Sequence, residues 1–267
     1  MFLLNRSLRS AIGSARSRGR PFSSTLLPKS HADQGKMATT AASVVVEPPA
    51  QTPLAVEMAA RANREEPLPS SMAGSAGDSC SNDALTSLPY RPNVSVLLVH
   101  PRTLHAFVAK RCDDPYGSYQ CPQGGIDPGE KALDAALREL WEETGVKNRS
   151  VRVIGATGWL AYDFPDWVRA KLSRGMSKYR GQAQRWYCML YTGEGDGSSE
   201  IDLSGGGQHA REFSEWAWRP LDRLAPDVSE FKREVYAEVA REFGALLREL
   251  EEAGVVGKGW KGGGGGK

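Results

Sequence analysis

Residues 89–250 are predicted to form one α/β domain, a mixed sheet layered against helices. Three features carry that prediction. Short strand-like apolar stretches recur along the segment, two longer stretches carry helical periodicity, and both flanks have compositions that cannot build a core.

The elements follow in order. Residues 94–100 are an apolar run of strand length, and 104–110 form its hairpin partner across a short turn. Residues 119–122 are extended, and 131–144 are helical. Strands are expected over 151–160 and 185–192. Residues 213–219 alternate Phe213, Trp216 and Trp218 with polar and small residues, so they form a half-buried strand. A long amphipathic helix spans 230–250 and carries Phe231, Val235, Val239, Phe243 and Leu247.

The flanks differ in kind. Residues 1–31 contain no acidic side chain, while Arg6, Arg9, Arg16, Arg18, Arg20 and Lys29 are spread among serines. Such composition marks 1–40 as an organelle transit peptide, for a mitochondrion or a chloroplast. A basic tail without an address, on a cytoplasmic protein, is the alternative. Residues 41–88 are rich in Ala, Ser, Pro and Glu and are expected to be a disordered linker, with a transient helix near 54–64. Residues 251–267 are expected to be a flexible Gly/Lys-rich tail.

A net charge of +2 gives no global field for a nucleic-acid or membrane binder. The four cysteines, Cys80, Cys112, Cys121 and Cys188, lack both zinc spacing and a disulfide framework. No apolar run spans a bilayer, and nothing calls for an obligate protein partner.

The chemistry concentrates in 124–146. The spacing there is Gly124, five residues, Glu130, seven residues, Arg138-Glu139-Leu140, one residue, Glu142-Glu143, one residue, Gly145-Val146. A lone Glu-Glu pair on a helix is usually a solvated face, but nine specified positions in register are not a chance pattern. At about 100° per residue, Glu142 and Glu143 flank Glu139 at about 60° and 40°. Leu133, Leu137 and Leu140 project from another face, free to pack on a sheet. Three carboxylates on one patch repel, which a hard oxygen-seeking cation resolves: Mg²⁺, with Mn²⁺ as a substitute. Gly124-Gly125 and Pro128-Gly129 shape the loop before the helix, and Gly145 is placed as a left-handed C-cap. Glu130 and Arg138 are read as a brace between loop and helix, with Arg138 on phosphate as the alternative.

This pattern resembles the Nudix box at every defined position. The likeness continues through Tyr90-Arg91-Pro92-Asn93-Val94, Pro122-Gln123-Gly124-Gly125-Ile126, Tyr162-Asp163-Phe164-Pro165, Gln184-Arg185-Trp186, Glu212-Phe213 and Phe231-Lys232-Arg233. Over about 90–243 the chain resembles plant-type asymmetric diadenosine tetraphosphate hydrolases and bacterial RNA 5′-pyrophosphohydrolases. The resemblance implies a Nudix α/β/α sandwich. It implies metal ligation by Glu139, Glu143 and the Gly124 carbonyl, with Glu142 in the same cluster and Glu212 as a further ligand or general base. It also implies a base clamp at Tyr162 and Phe231, and phosphate or base contacts from Arg111, Gln123, Gln184, Arg185 and Lys232.

Some of these residues have plainer readings. Trp186 and Trp216 are expected to be core, and Lys232 could equally be the wet side of the last helix. Cys121 and Tyr119 stand where relatives usually carry a bulkier apolar residue and Trp. Residues 193–209 are longer and richer in glycine than relatives lead one to expect, which loosens the placement of Glu212. The first expectation is a hydrolase that cuts diadenosine tetraphosphate into AMP and ATP. The alternatives are an RNA 5′-pyrophosphohydrolase, a hydrolase of another nucleoside diphosphate derivative such as ADP-ribose, and a non-catalytic nucleotide-binding domain, against which the intact glutamates speak.

Overall fold

The computed structural model describes residues 46–74, 87–114, 116–205 and 210–260. The segment expected to be a transit peptide and the last seven residues lie outside that set.

Helix α1 (Pro53–Asn63) opens at Thr52, whose Oγ1 accepts from the Ala55 amide at 3.3 Å. A one-turn α2 (Ser70–Ala73) follows. Strands β1 (Tyr90–Val99), β2 (Ala106–Arg111), β3 (Tyr119–Gln120) and β4 (Gln123–Gly125) lead into helix α3 (Ala132–Thr144). Then come β5 (Val151–Asp163), the short α4 (Asp166–Arg169), β6 (Gly181–Tyr191), β7 (Phe213–Arg219), the short α5 (Leu224–Asp227) and α6 (Arg233–Glu252).

Among the described residues the sheet has seven strands, with the path β3-β2-β1-β6-β5; β4 pairs with β1, and β7 with β2. β1 and β6 run parallel, and the other pairs are antiparallel. β1 is buried on both faces. Val94, Val96 and Leu98 pack with Leu133, Leu137 and Leu140 of α3, while Leu97 and Val99 join Val239, Phe243 and Leu247 of α6. The expected helix–sheet–helix layering is therefore present, as is the core position of Trp186, which is fully buried. Trp216 is half-buried and stacks on Phe107 at 5.7 Å. Gly145 closes α3 with φ +75°, its amide donating to the Trp141 carbonyl.

Two flank expectations need correction. The expected linker contains a packed element. Ala55, Met58, Ala59 and Ala62 of α1 are buried, and Gly155 lies so close beneath α1 that a Cβ there would stand 2.8 Å from Met58 Cβ. Alanine and methionine spaced along one helical face suffice to dock a helix on a ready-made sheet, although they could not build a core alone. The beginning of the expected tail is packed as well. α6 continues to Glu252, Val256 is buried, and the Gly257 amide donates to the Pro101 carbonyl at 2.7 Å.

Candidate active site

Helix α3 lays its carboxylates against β4. Glu139 and Glu143 are buried, whereas Glu142 keeps some contact with solvent. Glu143 Oε2 accepts from the Gln123 amide at 3.0 Å, while its Oε1 is buried with no hydrogen-bond partner among the described residues. Gly124 sits under Glu139, where a Cβ would lie 1.8 Å from the carboxyl carbon, so a side chain there would displace the Glu139 carboxylate. The brace expected of Arg138 is present. Its guanidinium donates to Glu130 through Nε and Nη2, both at 2.7 Å, and Nη2 also reaches the Gly125 carbonyl at 2.8 Å. Arg138 Nη1 donates to Glu139 Oε1 at 2.7 Å.

Burial raises the Glu139 carboxyl to about 7 against the pull of Arg138, with Glu142 and Glu212 adding to the rise. Burial also drives Glu143 well above the carboxylate range, helped by Glu212 and Glu139. Glu212, just before β7, is thus brought to the α3 cluster despite the long preceding loop. Among the described residues no three carboxylate, imidazole or thiol groups are already gathered tightly enough to enclose an ion. Arg138 and Arg111 hold Glu139 and Glu212 by ion pairs. The donor set nonetheless fits a hard cation. An orphaned buried carboxylate oxygen and mutually repelling acids, beside a glycine that keeps the backbone close, are what such an ion would relieve.

Around this cluster lies a buried polar network. Gln184 Nε2 donates to Gln123 Oε1 at 3.1 Å and to Asn93 Oδ1 at 3.3 Å. Lys232 Nζ donates to Gln120 Oε1 at 3.1 Å and to Gln123 Oε1 at 3.4 Å. Lys232 is therefore not on the wet side of the last helix. Burial, with Arg111 adding to it, lowers its ammonium to about 7. Tyr162 donates its hydroxyl to Gln182 Oε1 at 2.6 Å and meets Phe231 edge-on at 5.5 Å. Gln123, Gln184, Tyr162, Phe231 and Lys232 are thus brought together.

Arg185 is not among them, whereas Arg111 reaches the cluster through its acids. Arg185 faces the other side of the sheet from Gln184, because neighbouring strand residues point in opposite directions. Its Nη2 donates to the Arg61 and Arg64 carbonyls, both at 2.5 Å, at the end of α1. Arg111 is engaged by acids: it grips Asp113 at 2.7 and 3.0 Å and Glu212 at 2.9 Å, so here it positions Glu212.

Sequence reasoning missed Arg91, Asn93, Gln120 and Gln182 as site residues. Arg91 is largely buried, burial lowers its pKa, and its Nη1 has no partner among the described residues. A signal was available. Arg91 and Asn93 alternate along β1 and are in register with Gln182 and Gln184 on β6, a period-two polar stripe between apolar neighbours.

A mixed sheet with a carboxylate helix, a glycine that makes room for one of its carboxylates and a basic amide cradle defines a hydrolase of phosphoanhydride bonds. The NUDIX domain model matches residues 89–239, and the chain belongs to the Nudix family, whose hydrolases act on pyrophosphate linkages of nucleotide derivatives. An RNA pyrophosphohydrolase of Azorhizobium caulinodans is 46% identical over 165 residues, which cover 60% of this chain and 95% of that protein. Another from Bradyrhizobium sp. is 42% identical over 166 residues, with the same coverage. Among solved structures, a C. elegans Ap4A hydrolase binary complex aligns with 60% of this chain and 98% of its own, at 16% identity and a TM-score of 0.44.

Proposed function

We propose that this chain removes pyrophosphate from the 5′-triphosphate end of RNA, using Mg²⁺. The observation that carries the reading is identity above 40% across 95% of the length of relatives that bear the name RNA pyrophosphohydrolase. The sequence alone put diadenosine tetraphosphate first; the names of these relatives support the RNA substrate instead.

Glu139, Glu143 and the Gly124 carbonyl would hold the cation, with Glu142 and Glu212 beside them. When bound, it would set positive charge against the phosphate oxygens and acidify water. The chain's own groups do the rest. Lys232 and Arg91 offer charge, and Gln123 and Gln184 offer amide donors, to a polyphosphate. Tyr162 and Phe231 border the place for the first base. Glu212, oriented by Arg111, takes the proton of the attacking water.

The test offers the full-length protein 5′-triphosphate RNA and diadenosine tetraphosphate in parallel, with Mg²⁺, and resolves the products. Pyrophosphate and 5′-monophosphate RNA at the higher kcat/KM are expected. Preference for the dinucleotide, with AMP and ATP as products, would overturn the reading. We further propose that residues 1–40 direct the protein to a mitochondrion or plastid. Fusion of that segment to a fluorescent reporter tests this, and a purely cytosolic signal would refute it.

A further inference from the structure

The segment from α4 to the start of β6 has no part in the catalytic cluster, yet its composition is one-sided. Between residues 166 and 180 it carries Arg169, Lys171, Arg174, Lys178 and Arg180 against a single acid, Asp166. Two of these cations are committed to the fold. Arg169 reaches the Tyr179 carbonyl at 3.4 Å, and Arg180 grips Asp163 at 2.9 and 2.7 Å. Lys171, Arg174 and Lys178 are exposed, and no ion pair among the described residues engages them. Their crowding on one strap costs mutual repulsion, which a polyanion would relieve.

The strap is joined to the site by aromatic rings. Lys232 Nζ lies 5.7 Å from the Tyr162 ring, Tyr162 meets Phe231 at 5.5 Å, and Phe231 meets Trp167 at 5.7 Å. Trp167 is 48% exposed, a large exposure for tryptophan, and Lys171 Nζ lies 5.5 Å from its ring. The run of rings therefore leads from the buried polar cradle out to the surface, and the cations begin where it emerges. Flat bases stack on aromatic faces whatever their sequence, and cations beside the rings take the backbone.

We propose that Trp167 and the Lys171–Arg174–Lys178 strap form a track for single-stranded RNA downstream of the 5′ end. The inference rests on the proposed RNA substrate and deepens it. A dinucleoside polyphosphate ends at its second nucleoside and brings no phosphodiesters to this surface. An RNA chain brings one per nucleotide, and each contact releases counterions.

The experiment measures KM and kcat of the full-length protein on 5′-triphosphate RNAs of 2 and 10 nucleotides, at two or more salt concentrations. It compares the wild type with K171E/R174E and W167A. Wild type should show a KM roughly tenfold lower for the 10-mer, a difference that shrinks with salt. K171E/R174E should lose that difference at unchanged kcat and leave KM for the 2-mer within about twofold. The salt slope of log KM on the 10-mer should fall by about 1.4, because two phosphates of a single strand are no longer neutralised. W167A should raise KM for the 10-mer and keep the salt slope. Melting curves of the variants, altered only at exposed positions, should overlay the wild type. Brisk turnover of both RNAs at equal KM, or a length dependence retained by K171E/R174E, would overturn the track and spare the proposed function. Absence of turnover on any triphosphate RNA would overturn the function itself and the track with it.

Discussion

Gly124 and Glu139 share a space that only one of them can fill: a Cβ at 124 would stand 1.8 Å from the Glu139 carboxyl carbon. Gly124 lies in β4 and has no positive φ, so its requirement for glycine is one of room and not of backbone conformation. Gly124→Ala should push the Glu139 carboxylate off the cluster. Overpacking of this kind costs about 1–3 kcal/mol, so the variant should fold with a lowered Tm. Turnover should drop at least about 10²-fold. Wild-type kcat in a folded Gly124→Ala protein would refute this account of the loop.

Glu143→Gln keeps the shape and the acceptor for the Gln123 amide while removing a buried acid. Losing several kcal/mol of transition-state stabilisation lowers turnover by about 10²-fold or more. In EDTA at pH 8 the variant should melt no lower than wild type, because it no longer ionises a buried group driven well above its normal pKa. Added Mg²⁺ should raise the wild-type Tm more than the variant's. Full activity of Glu143→Gln, or of wild type in EDTA, would remove these glutamates from the chemistry.

α1 is expected to matter for stability although it lies far from the chemistry. Its terminal carbonyls at Arg61 and Arg64 are the acceptors for buried Arg185. A chain starting at Val46 should melt like the full-length protein. A chain starting at Ser87 loses these acceptors together with the packing of Met58 against Gly155, and should melt well below the other two. Arg185→Met in the full-length protein should cost much less. Equal melting of the two truncations would show that α1 only rests on the sheet.

Lys232 should leave a signature in the pH dependence of stability. Its folded pKa, about 7, lies below the ordinary 10.5. Between those values the unfolded chain binds more protons than the folded one, so stability rises with pH across that window. The slope is at most ~1.4 kcal/mol per pH unit. Arg111, Glu143, Asp114 and Cys121 supply the local field. Denaturant titrations in EDTA from pH 7 to 9.5 should show wild type gaining on Lys232→Met. Parallel curves would mean that Lys232 stays charged.

The features legible in the sequence are those that repeat locally. Periodicity marks residues 213–219 as a strand with the observed bounds, and 131–144 as a helix that begins one residue before the observed start. The Glu130–Arg138 brace and the Gly145 cap follow from spacing alone. The apolar pattern of β6 starts four residues late because Gln182 and Gln184 interrupt it, and those same glutamines form the cradle. β4 is hidden because its Gln-Gly-Gly composition resembles a loop; it is a strand only through its pairing with β1. Arg185 misleads because a motif names residues without saying which face each one takes.

The polar stripe of the cradle also bears on how the molecule assembles. Asn93 and Gln184 touch in the parallel β1–β6 ladder, yet they lie 91 residues apart along the chain. β4 can close on β1 as a nearby pair, but the parallel partner must await nearly the whole domain. Closing so long a loop is entropically costly, and non-local pairing slows folding. On a ribosome, β1 would therefore leave the exit tunnel with one edge open, and the carboxylate helix would be made before the strand that completes its site. The catalytic cradle would then be among the last parts of the protein to form.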